Sequence, residues 1–248
     1  MRRPLRLLAV LAGVVLACAL LPGPQTVVSP VTGERIIGGQ QAAPGQFPFI
    51  ADMNTCTGFA ITQYVVVTVA ACIPTSGPIT GTIYIGGINK REGQAEPLVW
   101  SIANPEGIAQ GNWTLVEVRD PILGTPVKIV DQGDTSMHSG TLTAAGFGTT
   151  PPLMYTGMPY VPAATCRTQI PDLNAVLEVC SGVATGTPGP CQGDPGGPLL
   201  AKSPAGTWVA IGVLSRNVGC RSYSASSDLS AMSTKIKSYL TADGRLRR

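Results

Sequence analysis

The sequence predicts an all-β fold, a barrel or a sandwich, closed by a single short helix near the C-terminus. Two observations carry this reading. Short β-rich runs alternate with Gly- and Pro-containing turns along most of the chain, which holds 30 glycines and 22 prolines. Only 12% of residues are charged while 44% are hydrophobic. That balance excludes a solvated disordered chain, and the lack of a long Ala/Glu/Lys/Leu stretch excludes a coiled coil. The length suits one domain or two small ones with a sizeable core.

The chain begins with Arg2, Arg3 and Arg6 ahead of an apolar run from Leu7 to Leu21, broken at Pro22. A basic start, a short apolar core and the small residues Ala17-Cys18-Ala19 read as a secretory signal peptide over residues 1–19, with its end placed as far as about residue 24. The run is shorter than the roughly 20 residues that span a bilayer. Without the three arginines, 14 basic residues face 14 acidic ones, so charge gives no case for nucleic acid or an anionic membrane. Of seven cysteines, Cys18 falls in the leader and leaves an even set: Cys56, Cys72, Cys166, Cys180, Cys191 and Cys220. Val15-Leu16-Ala17-Cys18 also resembles a bacterial lipobox, so lipidation of Cys18 and a surface-anchored protein is the alternative to free secretion.

Residues 20–35, rich in Pro, Val and Ser, read as a spacer or pro-segment. Strands are then expected in Tyr64–Val69, Thr82–Ile85, Leu115–Val118, Pro126–Val130 and Trp208–Leu214. Ile236 and Leu240, at i and i+4, predict a helix over Ser233–Leu240. Residues 241–248 read as a polar, frayed tail. The only histidine, His138, is expected in an exposed loop beside Ser139 and Gly140. One histidine without metal-ligand spacing gives no expectation of a metal or cofactor.

Four segments, in order, carry a family resemblance. They are Arg35-Ile36-Ile37-Gly38-Gly39 with Gly45-Gln46-Phe47-Pro48-Phe49; Cys56-Thr57-Gly58 through Val67-Thr68-Val69-Ala70-Ala71-Cys72; Ala145-Gly146-Phe147-Gly148-Thr149-Thr150; and Cys191-Gln192-Gly193-Asp194-Pro195-Gly196-Gly197-Pro198-Leu199. Together they resemble the trypsin-like serine proteases, from Ile36 to about Leu240. The resemblance implies a domain over residues 36–240 made of two packed six-stranded antiparallel β-barrels with a short C-terminal helix. It also implies the disulfides Cys56–Cys72, Cys166–Cys180 and Cys191–Cys220, which spacing alone leaves open. Disulfides in turn imply an oxidising, extracellular compartment.

The resemblance places Ala71 at the histidine position, Asn112 at the aspartate position and Pro195 at the serine position of the family's catalytic triad. The reaction needs a hydroxyl, a base to take its proton and a carboxylate to hold that base. A methyl group, an amide and a pyrrolidine ring supply none of these. Proline also lacks the N–H that completes an oxyanion hole, leaving Gly193 as the residual donor. Arg35, Ile36 and Asp194 match the family's activation switch, in which cleavage after Arg35, by a trypsin-like protease, frees an Ile36 ammonium to pair with Asp194. At the specificity pocket stand Gly189, Ser215, Arg216 and Asn217, with no carboxylate at the base. Arg216 and Arg221 are expected to be solvated, with an anionic partner as the other reading. Asn112-Trp113-Thr114 fits a glycosylation sequon, but the fold would bury it. The sequence thus predicts a secreted, non-catalytic homologue that binds or regulates an unknown protein or peptide partner. The alternatives are a serine-type endopeptidase or other hydrolase with unrecognised catalytic residues, and the lipid-anchored surface protein.

Overall fold

The computed structural model describes residues 36–186, 189–191, 194–220 and 222–247. The leader with Cys18, the spacer ending at Arg35, and Gly193 and Arg221 lie outside the described residues.

The strands in chain order are β1 (Gln40–Gln41), β2 (Ile50–Asp52), β3 (Thr57–Ala60), β4 (Val65–Thr68), β5 (Gly77–Pro78), β6 (Thr82–Gly86), β7 (Gly93–Ala103), β8 (Thr114–Val118) and β9 (Lys128–Ile129). Next come β10 (Thr141–Gly146), β11 (Met154–Val161), helix α1 (Ala163–Cys166), β12 (Glu178–Ser181), β13 (Pro198–Lys202), β14 (Trp208–Asn217), β15 (Ser224–Asp228) and helix α2 (Leu229–Ser238). In the first barrel the order is β7-β6-β2-β3-β4-β8, and pairing of β7 with β8 closes the ring. In the second it is β11-β10-β13-β14-β15-β12, closed by β11 against β12. These are two closed six-stranded antiparallel barrels, as the resemblance implied. Closure removes the exposed edges that an open sheet would present.

Local sequence explains the elements. In β6, Ile83 and Ile85 point inward and alternate with more exposed neighbours, the period-two pattern of a half-buried strand. In β4, Val65, Val66 and Val67 are all buried, because both faces of this strand are covered. Phe59, Phe147 and Trp113 are among the largest fully buried side chains, and Trp113 packs on Tyr239 with ring centroids 5.9 Å apart. The three disulfides pair as expected: Cys56–Cys72, Cys166–Cys180 and Cys191–Cys220. By the chain-entropy argument each removes roughly 3 kcal/mol of freedom from the unfolded chain.

Several boundaries differ from expectation. The Pro126–Val130 run gives only the two-residue β9, which pairs in parallel with β14. Of the Ala145–Thr150 motif, only Ala145 and Gly146 belong to β10, which begins at Thr141. Helix α2 starts four residues earlier than read, because Asp228 caps it by accepting the Ser230 N–H at 2.8 Å. Its buried face runs Leu229, Met232 and Ile236, with serines between that dilute the sequence signal.

The tail is not frayed. Leu246 is buried and bridges to Leu240. Arg245 pairs with Glu117 of β8 at 3.3 Å and lies over the Tyr64 ring, while Thr62 Oγ1 donates to the Gly244 carbonyl at 2.7 Å. The C-terminus is thus fastened to the first barrel, while β1, near the start of the described chain, pairs with β11 of the second.

Candidate functional site

The ends of β4, β8, β13 and β14 meet where the barrels face one another. Past β4, the Ala70 N–H donates to Asn112 Oδ1 at 2.9 Å, which holds the segment carrying the exposed Ala71 beside the start of β8. The Asn112 N–H donates to Ser227 Oγ at 2.9 Å, and that hydroxyl lies 3.0 Å from Ser215 Oγ. Ser215 in turn donates to the Val213 carbonyl at 2.9 Å. Asn112 therefore ends a hydroxyl chain that crosses from the first barrel to the second. The sequence reading missed Ser227, because β15 carries Ser-Ala-Ser-Ser-Asp with no apolar pattern.

Pro195 occupies a tight turn between the barrels. Its carbonyl accepts the Thr57 N–H at 3.1 Å and lies 3.8 Å from the sulfur of Cys72. Gly196 and Gly197 lock the turn: the Gly196 N–H donates to Leu214 O at 2.8 Å, and the Leu214 N–H to Gly197 O at 2.8 Å. Gly196 has φ +89°, and a Cβ there would collide with Thr57 O and Thr68 Oγ1. Only glycine fits. The segments of Ala71, Asn112 and Pro195 are thus brought together, and Ser215 joins them through Ser227.

Asp194 is fully buried at 0% exposure. Its Oδ1 accepts the Gly148 N–H at 3.0 Å and its Oδ2 the Cys191 N–H at 2.7 Å. Burial pushes this carboxyl up to about 7 and outweighs the two N–H donors, which act the other way. Among the described residues no cationic side chain forms an ion pair with it. Ile36, at 1% exposure, is also buried, and the next residue, Ile37, donates its N–H to Gly189 O at 3.0 Å.

Gly189 is buried under Cys220, and Asn217 Oδ1 accepts the Cys220 N–H at 3.1 Å. Arg216 corrects the expectation of a solvated side chain. Its Nε and Nη2 donate to Glu178 at 2.9 and 2.8 Å, and its Nη1 donates to both Asp172 oxygens at 2.9 Å. The Glu178 and Asp172 bonds hold the guanidinium above its usual range, and the Arg216 bond keeps the Asp172 carboxyl below its own. No sequence motif marked Asp172 or Glu178. Beside this clamp runs a cleft of about 490 Å³, lined by Ile108, Asn112, Leu177, Ser215, Arg216 and Ser227.

His138 is likewise not an exposed loop residue. Its side chain is only 10% exposed, stacks on Tyr160 and lies 3.5 Å from Asp228. It lines a second cavity, next to the cleft, with which that cavity shares Leu177 and Glu178.

Two closed barrels with a hydroxyl-lined cleft at their junction define the chymotrypsin-like double-barrel scaffold. A family model described as Trypsin matches residues 36–241. A trypsin-like protease of Streptomyces glaucescens is 30% identical over 201 residues, covering 75% of this chain and 74% of the relative. The chain belongs to the trypsin family.

Proposed function

We propose that this chain is a secreted trypsin-family member that does not cleave peptides and serves as a binding or regulatory protein for a protein or peptide partner. The observation that carries the reading is the meeting of Ala71, Asn112 and Pro195 at the barrel junction. The Ala71 methyl accepts no proton, and the Asn112 amide is already engaged by the Ala70 N–H. Replacing the triad carboxylate with an amide alone costs about four orders of magnitude in rate. Pro195 offers no hydroxyl to acylate, and a lost oxyanion donor costs a further hundredfold or more, roughly. Family membership describes ancestry, while the site decides activity.

Secretion is supported by the leader-like residues 1–19 and by three disulfides. Among the described residues no helix is long and apolar enough to cross a membrane. Cleavage after Arg35 by a trypsin-like protease completes the reading. A freed Ile36 ammonium would compensate the buried Asp194 carboxylate, whose uncompensated charge is otherwise expensive. The processed cleft, with Arg216 clamped across it, then presents a fixed binding surface.

The test is a fluorophosphonate probe applied to the purified secreted protein, with its N-terminus sequenced in parallel. No serine is expected to label, and the N-terminus is expected at Ile36. Covalent labelling at any serine overturns the non-catalytic reading. An N-terminus upstream of Ile36 overturns the processing, and one at a lipidated Cys18 replaces secretion by anchoring.

A further inference from the structure

The single histidine takes no part in the cleft, yet it is placed as if for a ligand. His138, Tyr160, Leu173, Val176, Val179 and Asp228 are among the residues that line a cavity of about 580 Å³ on the second barrel. That volume falls in the range of small-molecule sites. Leu173, Val176 and Val179 give it an apolar wall. The same cavity holds two polar groups, His138 and Asp228, with side chains 10% and 9% exposed.

His138 Nε2 is buried and makes no hydrogen bond, although Asp228 Oδ1 lies 3.5 Å away. Stacking on Tyr160, with centroids 6.2 Å apart, holds the ring in place. Buried polar atoms without a partner are rare in folded proteins and call for an explanation. Asp228 is fixed as the cap of α2, its Oδ1 accepting the Ser230 N–H at 2.8 Å.

The other charged and amide side chains on the cavity are already matched, and the rest of its polar lining is the neutral hydroxyls of Thr135, Tyr160 and Ser230. Arg216 neutralises Glu178. The Gln132 amide donates to Ala231 O and accepts from the Thr234 N–H. The charge left to the cavity is therefore that of Asp228. A donor bound at Nε2 selects the Nδ1–H tautomer of His138, and Nε2 and Asp228 Oδ1 then form two acceptors 3.5 Å apart. A primary ammonium has the donors to bond both at once. A hydroxyl has one, and a carboxylate has none and is repelled.

We infer that this cavity binds a primary amine with a small apolar or aromatic body, its ammonium between His138 Nε2 and Asp228 Oδ1 and its body against Leu173, Val176 and Val179. The cavity adjoins the cleft through Leu177 and Glu178, but His138 and Asp228 line only the cavity, and the inference does not depend on whether the junction is catalytic.

Phenethylamine, phenethyl alcohol and 3-phenylpropanoate test this on the intact protein at pH 8. Because the chain has one histidine, its imidazole ¹⁵N resonances report on this site alone, and calorimetry supplies affinities. The amine is expected to shift those resonances saturably. The alcohol should bind at least about tenfold more weakly, the value of a charge-assisted hydrogen bond, and the carboxylate should not bind. Asp228→Asn keeps the helix cap and should lose about tenfold in amine affinity. His138→Phe keeps the stack on Tyr160 and should lose affinity as well. An absent or non-saturable shift, an alcohol that matches the amine, or an unchanged affinity in Asp228→Asn overturns the inference.

Discussion

In the uncut chain, stability should fall as pH rises, through one carboxyl. Asp194 is pushed from 3.8 to about 7 by burial. Between those values the folded protein holds a proton that the unfolded chain releases. The stability that this proton contributes is whole below the unfolded value, declines as pH rises through about 7, and is gone above it. A shift of about three units at about 1.4 kcal/mol each makes the loss about 4 kcal/mol. Asp134, Asp172 and Asp243 lie below their usual range and act in the opposite sense at lower pH, so the informative quantity is a difference. Asp194→Asn removes the titration. It also turns an amide NH₂ toward one of the two backbone N–H donors, a pH-independent cost of about 1–3 kcal/mol. With Arg35→Gln in both chains to block processing, urea unfolding from about pH 4 to pH 8 should give two curves that cross, the Asp194 protein being the more stable in acid and the less stable above neutrality. Parallel curves would refute the reasoning. Where Arg35 is left intact and cut, the Ile36 ammonium should abolish the decline.

Three other perturbations have defined outcomes. Arg216→Ala leaves Glu178 and Asp172 facing each other without their counter-charge and should lower stability by about 1 kcal/mol in thermal unfolding. The figure is kept small because the guanidinium is partly solvated. Removing residues 241–248 exposes the surface under Leu246 and frees Arg245 from Glu117; a loss of about 2–3 kcal/mol is expected, against no loss for a frayed tail. Gly196→Ala forces a Cβ into Thr57 O and Thr68 Oγ1 at φ +89° and should abolish recovery of folded protein, whereas Gly206→Ala, with open space around it, should cost about 1 kcal/mol through backbone strain alone.

β6 was readable in the sequence because burial of one pleated face leaves a period of two, and β4 and β8 were readable as short Val-rich runs buried on both faces. Ordered motifs supplied the barrels and the disulfide pairing. What escaped was structure made by partners distant in sequence. β15 is a run of serines that is buried because β14 and β12 flank it. Arg216 looked solvated because its carboxylates come from a loop some forty residues upstream and from β12, at Asp172 and Glu178. His138 looked exposed beside Ser139 and Gly140, and only the fold sets it against Asp228, the cap of a helix much later in the chain. At the junction, the identities of Ala71, Asn112 and Pro195 were legible, but the Asn112–Ser227–Ser215 hydroxyl chain was not.

The reciprocal fastening of the two chain ends has a topological consequence. β1 pairs with β11 of the second barrel, and the segment after α2 is fastened to the first. A chain severed in the connector between β8 and β10 would yield two fragments, each carrying a piece that belongs to the other. Neither barrel is therefore a module that can be excised and kept whole. Mixed together, the halves would have a built-in reason to reassemble, each returning the strip of chain that its counterpart lacks.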